Sequence, residues 1–268
     1  MAIADYIPVL LRPALLLTTA VYHCIMTLLQ NPTLIFNLST LQEKSFARLW
    51  SQNGEAMSVE MPGPTFALLK TVSGTVLDVG PGSGEQLPRF DPSIVTIMYG
   101  AEPSINLHAG LLKNAEKAGF GGKYKALHCG GEPESLIPAL AKAGALAESK
   151  GQGIFDVVVC VRVLCGVPRP EETIEGLYKL LKPGGRMIVC EHVINPWQES
   201  GSVLARVMQV VYTVLGWPFF MGNCHVDRDT KKYLQEAAGK DGWASVKLEY
   251  VEPKTAIPFV VGELVKRS

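Results

Sequence analysis

Asp78, Gly80, Gly82 and Gly84 alternate through the run VLDVGPGSG, residues 76–84, where an apolar strand gives way to a turn that bares its backbone. Glycine lacks a Cβ and tolerates positive φ, so such a turn leaves N–H groups open to a closely approaching ligand. Asp78 at the strand end can orient the turn by hydrogen bonding, and it reads equally as a structural turn residue. The spacing D-x-G-x-G-x-G suits a nucleoside-containing cofactor, and it departs from the G-x-G-x-x-G register of a dinucleotide site.

Further candidates fall where other apolar segments end. Glu102 follows the segment 94–99, a position from which a carboxylate accepts two ribose hydroxyl hydrogen bonds or caps the next helix. Gly131 allows close approach of an adenine and Glu132 can satisfy its polar edge, or the pair forms a surface turn before Pro133. Val163 and Leu164, with Cys165, border the reacting end of a ligand in one reading and pack the core in the other. Glu191 and His192 close the strand RMIVCEH, and His192 reads as a base, a substrate-orienting donor or a satisfied structural histidine.

Composition removes several classes of function. The 268 residues carry equal numbers of acidic and basic side chains, so no positive footprint for nucleic acid is expected. The six cysteines are scattered through apolar contexts rather than arranged in dense spacings, which points to a reduced compartment. There is no H-E-x-x-H and no dense Cys/His cluster, so metal-dependent catalysis is disfavoured and no metal is expected.

These residues need an α/β frame. Strands are predicted at 75–79, 94–99, 123–129, 155–161 and 186–192, with helices running to Lys117, from Pro133 to Ala147 and after Pro170. The near-continuous apolar run FDVVVCV suits a central parallel strand, and KPGG, residues 182–185, suits a tight return into the next one. The implied architecture is a doubly wound, mostly parallel sheet with its ligand crevice at the carboxyl ends of the strands.

Two stretches exceed the needs of a soluble core. Residues 13–29 contain no Asp, Glu, Lys or Arg, and roughly 17 to 25 apolar residues can cross a bilayer as helix. Membrane association is the favoured reading, against a substrate lid or a buried accessory helix. The second stretch, 203–221, is interrupted by Gly216 and Pro218, which opposes one uninterrupted spanning helix; it suits a membrane-contacting or pocket-covering insertion.

Taken together, VLDVGPGSG, AEPS at 101–104, FDVVVCVRVLCGV at 155–167, LLKPGGRMIVCEHV at 180–193 and GNCHVDRDT at 222–230 resemble a class I S-adenosylmethionine-dependent methyltransferase, with closer likeness to the membrane-associated methyltransferase-like 7 group of alkyl thiol methyltransferases. The resemblance implies a seven-stranded sheet closed by antiparallel strands at 244–251 and 257–260. It implies S-adenosylmethionine around Asp78, Gly80, Gly82 and Gly84, with the ribose at Glu102, the adenine near Gly131 and Glu132, and the methyl-transfer region along Val163 and Leu164. Residues 1–50 would then be a hydrophobic helical extension and 51–268 the catalytic domain, with an accessory insertion at 193–228. The acceptor implied is a small hydrophobic molecule, preferentially a thiol, with hydroxyl, amine and carbon nucleophiles as alternatives. His192, His225 and Asp227 are the candidates for orienting or deprotonating it. The implied location is a membrane surface with the catalytic domain in the cytoplasm, the endoplasmic reticulum and lipid droplets being the candidate membranes. Two other readings stay open: a methyltransferase-derived cyclase or isomerase, and a membrane interaction protein that retains the cofactor.

Overall fold

The structure, a computed structural model, describes residues 3–146 and 152–268. Its strands are β1 (Gly74–Val79), β2 (Val95–Ala101), β3 (Tyr124–Leu127), β4 (Phe155–Val161), β5 (Leu181–His192), β6 (Trp243–Val251) and β7 (Phe259–Lys266). They form one seven-stranded sheet in the order β3-β2-β1-β4-β5-β7-β6. Pairing is parallel from β3 to β5, and β7 runs antiparallel to both β5 and β6. The strand order reverses between β1 and β4, which opens a crevice at their carboxyl ends.

Strand side chains alternate between two cores, as the period of two requires. Leu77, Val79, Val158 and Cys160 face one, packed by α5 (Pro133–Lys142), α6 (Pro170–Leu180) and α9 (Thr230–Glu236). Val76, Val157 and Val159 face the other, packed by α3 (Thr65–Leu69) and α4 (Ile105–Lys117). Burial on both faces explains why β4 reads as an unbroken apolar run.

Several boundaries differ from expectation for identifiable reasons. KPGG lies inside β5, where the register jumps from Leu181 opposite Phe155 to Arg186 opposite Val157, so the four residues bulge out of the ladder. The last strand starts at Phe259 because Pro258 has no N–H to give the ladder, and it runs on to Lys266. α5 ends at Lys142, with Gly144 at φ 80° just beyond it. Ala147, the expected end of that helix, lies outside the described residues.

Above the sheet, α1 (Ile3–Gln30) packs along α2 (Leu38–Ser58), with a 3₁₀ turn at Pro32–Phe36 between them. α2 runs through residue 50, so the expected boundary there falls inside one helix. α7 (Val203–Val214) and α8 (Trp217–Phe220) complete this layer, and Gly216 separates them at φ 91°. Leu17, Ala20, Leu49, Tyr212, Trp217 and Met221 form a third small core. α1 is therefore two-faced: Leu10, Leu17, Ala20 and Cys24 are buried, while Ile7, Leu11, Leu15, Tyr22, Ile25 and Leu29 are exposed at helical spacing. α7 repeats the pattern, with Val203, Val207, Val210 and Val214 exposed and Gln209 buried.

Candidate cofactor and acceptor site

Gly80 and Gly82 both adopt φ 61°, a conformation that a β-branched residue adopts only under strain. A Cβ at Gly80 would fall 2.4 Å from Cγ2 of Val163, and one at Gly82 would fall 2.3 Å from Nε1 of Trp50. The turn therefore stays bare because β4's end and α2 press on it, leaving a cradle that side chains would fill. Gly84, at φ 85°, faces Leu87 and Leu111 and is held by packing.

Over this turn opens a cavity of about 790 Å³, a size typical of small-molecule sites. Gly80, Gly82, Glu102, Gly131, Glu132 and Val163 all line it, so six of the nine expected cofactor residues converge on one space. Asp78, Gly84 and Leu164 do not line it. Asp78 and Gly84 border a void of about 20 Å³ beneath the turn, beside Glu85 and Arg162. Leu164 is wholly buried in the main core.

Glu102 is the best-formed polar group of the cavity. Its Oε2 accepts the Gly82 N–H at 3.0 Å and its Oε1 accepts the Ser104 N–H at 2.8 Å. Burial pushes its carboxyl up to about 7 against the opposing pull of those two N–H groups. Each oxygen keeps a lone pair for a further donor, the requirement for a ribose diol. Asp78 is also raised to about 7, by burial and then by the Glu102 and Glu85 charges. Gly131 is packed on Val79, where a Cβ would fall 2.9 Å from Cγ1. The side-chain-free wall at Gly130 and Gly131, the acceptor carboxylate at Glu102 and the bare turn fit S-adenosylmethionine in outline.

Behind Val163, which faces Gly80, lies Glu191. This wholly buried side chain accepts the Val163 N–H on Oε1 at 2.9 Å and fixes the turn after β4. Burial lifts its carboxyl to about 7, opposed by the N–H groups of residues 163–165. Arg162 sits at φ 55° and donates from Nη1 to the Met57 carbonyl at 2.9 Å and from Nη2 to Ser58 Oγ at 2.8 Å. That clamp ties the end of α2 to the end of β4.

The expected acid–base residues do not line the cavity. His192 stacks on Phe259 at 4.3 Å between ring centroids, and its Nδ1 is sealed without a partner. Burial and the Arg162 charge lower its pKa to about 3, so the ring is neutral. His225 holds the loop through its N–H to the Cys165 carbonyl at 2.8 Å, and burial lowers its pKa as well. Asp227 follows two residues later, likewise off the cavity wall. Cys165 does line it, but contact with the Cys224 thiol and burial hold its pKa well above the ordinary value. It is a neutral wall rather than a nucleophile.

Sequence reasoning missed Phe46, Trp50, Met221 and Cys224, which also line the cavity. Phe46 and Trp50 stand one helical turn apart on α2, with ring centroids 5.7 Å apart. Their i, i+4 aromatic spacing was the available signal. Trp50 also donates from Nε1 to Glu85 at 2.9 Å and carries the Arg162 guanidinium 5.3 Å from its ring.

Comparison with known proteins agrees with the fold. A family described as a methyltransferase domain matches residues 39–248. Thiol S-methyltransferase TMT1B of Rattus norvegicus is 26% identical over 240 residues, covering 85% of this chain and 84% of the relative. Ubiquinone biosynthesis O-methyltransferase of Psychrobacter cryohalolentis is 34% identical over 124 residues, 45% of this chain and 42% of the relative. Among solved structures, geranyl diphosphate methyltransferase in complex with SAM superposes with a TM-score of 0.54 at 11% identity, over 84% of this chain and 90% of that one.

Proposed function

Because the chain belongs to the methyltransferase-domain family and is an S-adenosylmethionine-dependent enzyme acting on a small organic acceptor, we propose that its acceptor is a small hydrophobic thiol. One observation carries this reading: Phe46, Trp50, Val163, Met221, Cys165 and Cys224 give the cavity an apolar wall, and no histidine is among its lining residues. Of the lining carboxylates, Glu43 and Glu134 are exposed, and Glu102 and Glu132 are assigned to the nucleoside. An acceptor entering such a pocket has to bring its own anion. A thiol does so with a pKa of roughly 8.5, whereas an alcohol needs a base.

In this reading Glu102 holds the ribose diol, Gly131 and Glu132 border the adenine, and the Gly80–Gly82 turn receives the amino acid end. Bound there, S-adenosylmethionine supplies a methyl group on a sulfonium. Val163, fixed by Glu191, and the Phe46–Trp50 pair hold the acceptor sulfur in line with that methyl and exclude water. The aromatic faces also favour positive charge. Sequence similarity to a thiol S-methyltransferase along most of both chains supports the choice of acceptor.

The membrane reading takes a specific form. α1 is long and apolar enough to cross a bilayer, with mean hydropathy 1.5 over Tyr6–Gln30. Yet His23 on its inner face bonds Asn53 at 3.0 Å, and Tyr212 Oη donates to the Leu10 carbonyl at 2.9 Å. A spanning helix would have to give up these contacts. We therefore place α1 in the plane of a membrane surface, its outer apolar face and that of α7 in the interface.

The test is a reaction with methyl-labelled S-adenosylmethionine and matched lipophilic thiols, phenols, alcohols and amines, read by mass spectrometry. Labelled thioether as the dominant product is expected. Label on oxygen or nitrogen with thiols untouched would overturn the thiol assignment, and a product of unchanged mass would favour rearrangement.

A further inference from the structure

A second concave site lies outside the cavity, where the end of α1 meets α2. It encloses about 290 Å³ and is lined by Gln30, Asn31, Lys44, Arg48, Ser51 and Asn106, among others. Its charged lining residues are Lys44 and Arg48 alone, both cationic, and no carboxylate lines it. Among the described residues neither forms a salt bridge. Arg48 donates from Nη1 to Gln30 Oε1 at 2.8 Å, while its Nε is buried with no hydrogen-bond partner. An unpaired guanidinium N–H beside a lysine, ringed by amide and hydroxyl groups, calls for an anion with several acceptor oxygens.

The surroundings identify which kind. In the chain the notch residues Gln30 and Asn31 are flanked by exposed apolar side chains: Leu29, 69% exposed, before them, and Ile35, Phe36, 91% exposed, and Leu38 after them. From Tyr6 to Gln42 the chain has no Asp or Glu, and Glu43, exposed beside Lys44, lines the large cavity and not the notch. A free phosphate would not explain the apolar flank, whereas a lipid presents a phosphate and hydrocarbon side by side.

We propose that the notch is a headgroup site for an anionic glycerophospholipid, whose phosphate lies between Lys44 and Arg48 while its acyl chains lie against Leu29 and Phe36. The inference rests on the membrane reading above and adds a headgroup preference to it. α1 then lies with its carboxyl end anchored by charge and its outer face by hydrocarbon contact.

The experiment floats the full-length chain with preformed vesicles of phosphatidylcholine alone or with phosphatidic acid added. A basic residue near an anionic surface contributes about 1 kcal/mol, or about fivefold in partitioning. Lys44→Gln with Arg48→Gln is expected to abolish the preference for phosphatidic acid, about twentyfold or more, and to leave binding to phosphatidylcholine unchanged. The control pair Lys113→Gln with Lys117→Gln, exposed on α4, removes the same charge elsewhere. Calorimetry with short-chain phosphatidic acid is expected to show saturable binding that the notch variant loses.

Equal losses in both pairs would overturn the site, as would inorganic phosphate binding as tightly as the short-chain lipid. Methyl transfer to a water-soluble thiol, measured on the same samples, separates this inference from the enzymatic one. Wild-type protein that fails to float with either vesicle would overturn the membrane reading itself, whereas flotation without headgroup preference would overturn the notch alone.

Discussion

At the scale of single residues, Glu102 carries the strongest prediction. Its carboxyl is lifted to about 7 without ligand, and ribose hydroxyls donate best to the ionised form. Cofactor affinity is therefore expected to fall as pH drops below about 7 and to level off above it. Glu102→Gln removes one acceptor oxygen and the charge. Since a hydrogen bond to a charged group contributes about 1.5–3 kcal/mol, affinity should drop about ten- to hundredfold and lose its pH dependence. Isothermal titration across pH checks both outcomes, and an unchanged affinity would remove Glu102 from the ribose site. His192 makes the complementary point. Its place after an apolar strand suggested chemistry, but the side chain packs on Phe259 and lies off the cavity wall.

At the scale of elements, α7 is held by Gln209. This wholly buried amide donates from Nε2 to the Val193 carbonyl at 3.0 Å and the Val226 carbonyl at 2.7 Å, and its Oε1 accepts the Asn195 N–H at 3.0 Å. Gln209→Ala strands these backbone groups at about 1–3 kcal/mol each, so urea unfolding should show a loss of at least about 3 kcal/mol. A loss below 1 kcal/mol would mean that water replaces the amide. In the sequence Gln209 reads as a break in an apolar surface, because a helical pattern does not say which face turns inward. The five parallel strands were legible along the chain, since apolar runs and glycine turns are local signals, whereas their order in the sheet comes from the structure. Gly80, Gly82, Glu102 and Gly131 were legible for the same reason: each sits at a strand end. Phe46 and Trp50 were not, because their meeting with Gly82 and Met221 depends on how α2 folds back over the sheet. The extent of β7 was missed as well, since antiparallel pairing with β5 and β6, rather than any local motif, carries it to Lys266.

At the scale of the whole molecule, the N-terminal layer packs against the wall of the cavity. Leu17 and Ala20 of α1 pack with Leu49, Trp217 and Met221, and Met221 in turn lines the cavity. Deleting residues 1–30 is therefore expected to expose that core and cause aggregation or a lowered melting midpoint. A monomeric, fully active truncated domain would show instead that α1 is a detachable anchor. In the proposed reading the strand ends hold the cofactor, while α2, Met221 and the loop through Cys224 wall an apolar chamber that no histidine lines. The central claim is that this chamber orients an acceptor that ionises by itself. Single-turnover methyl transfer, followed against pH for a series of lipophilic thiols of graded acidity, tests it most directly. The midpoint of each rate profile should shift one for one with the pKa of the thiol used. A midpoint that stays fixed across the series would reveal a base belonging to the protein and contradict the account.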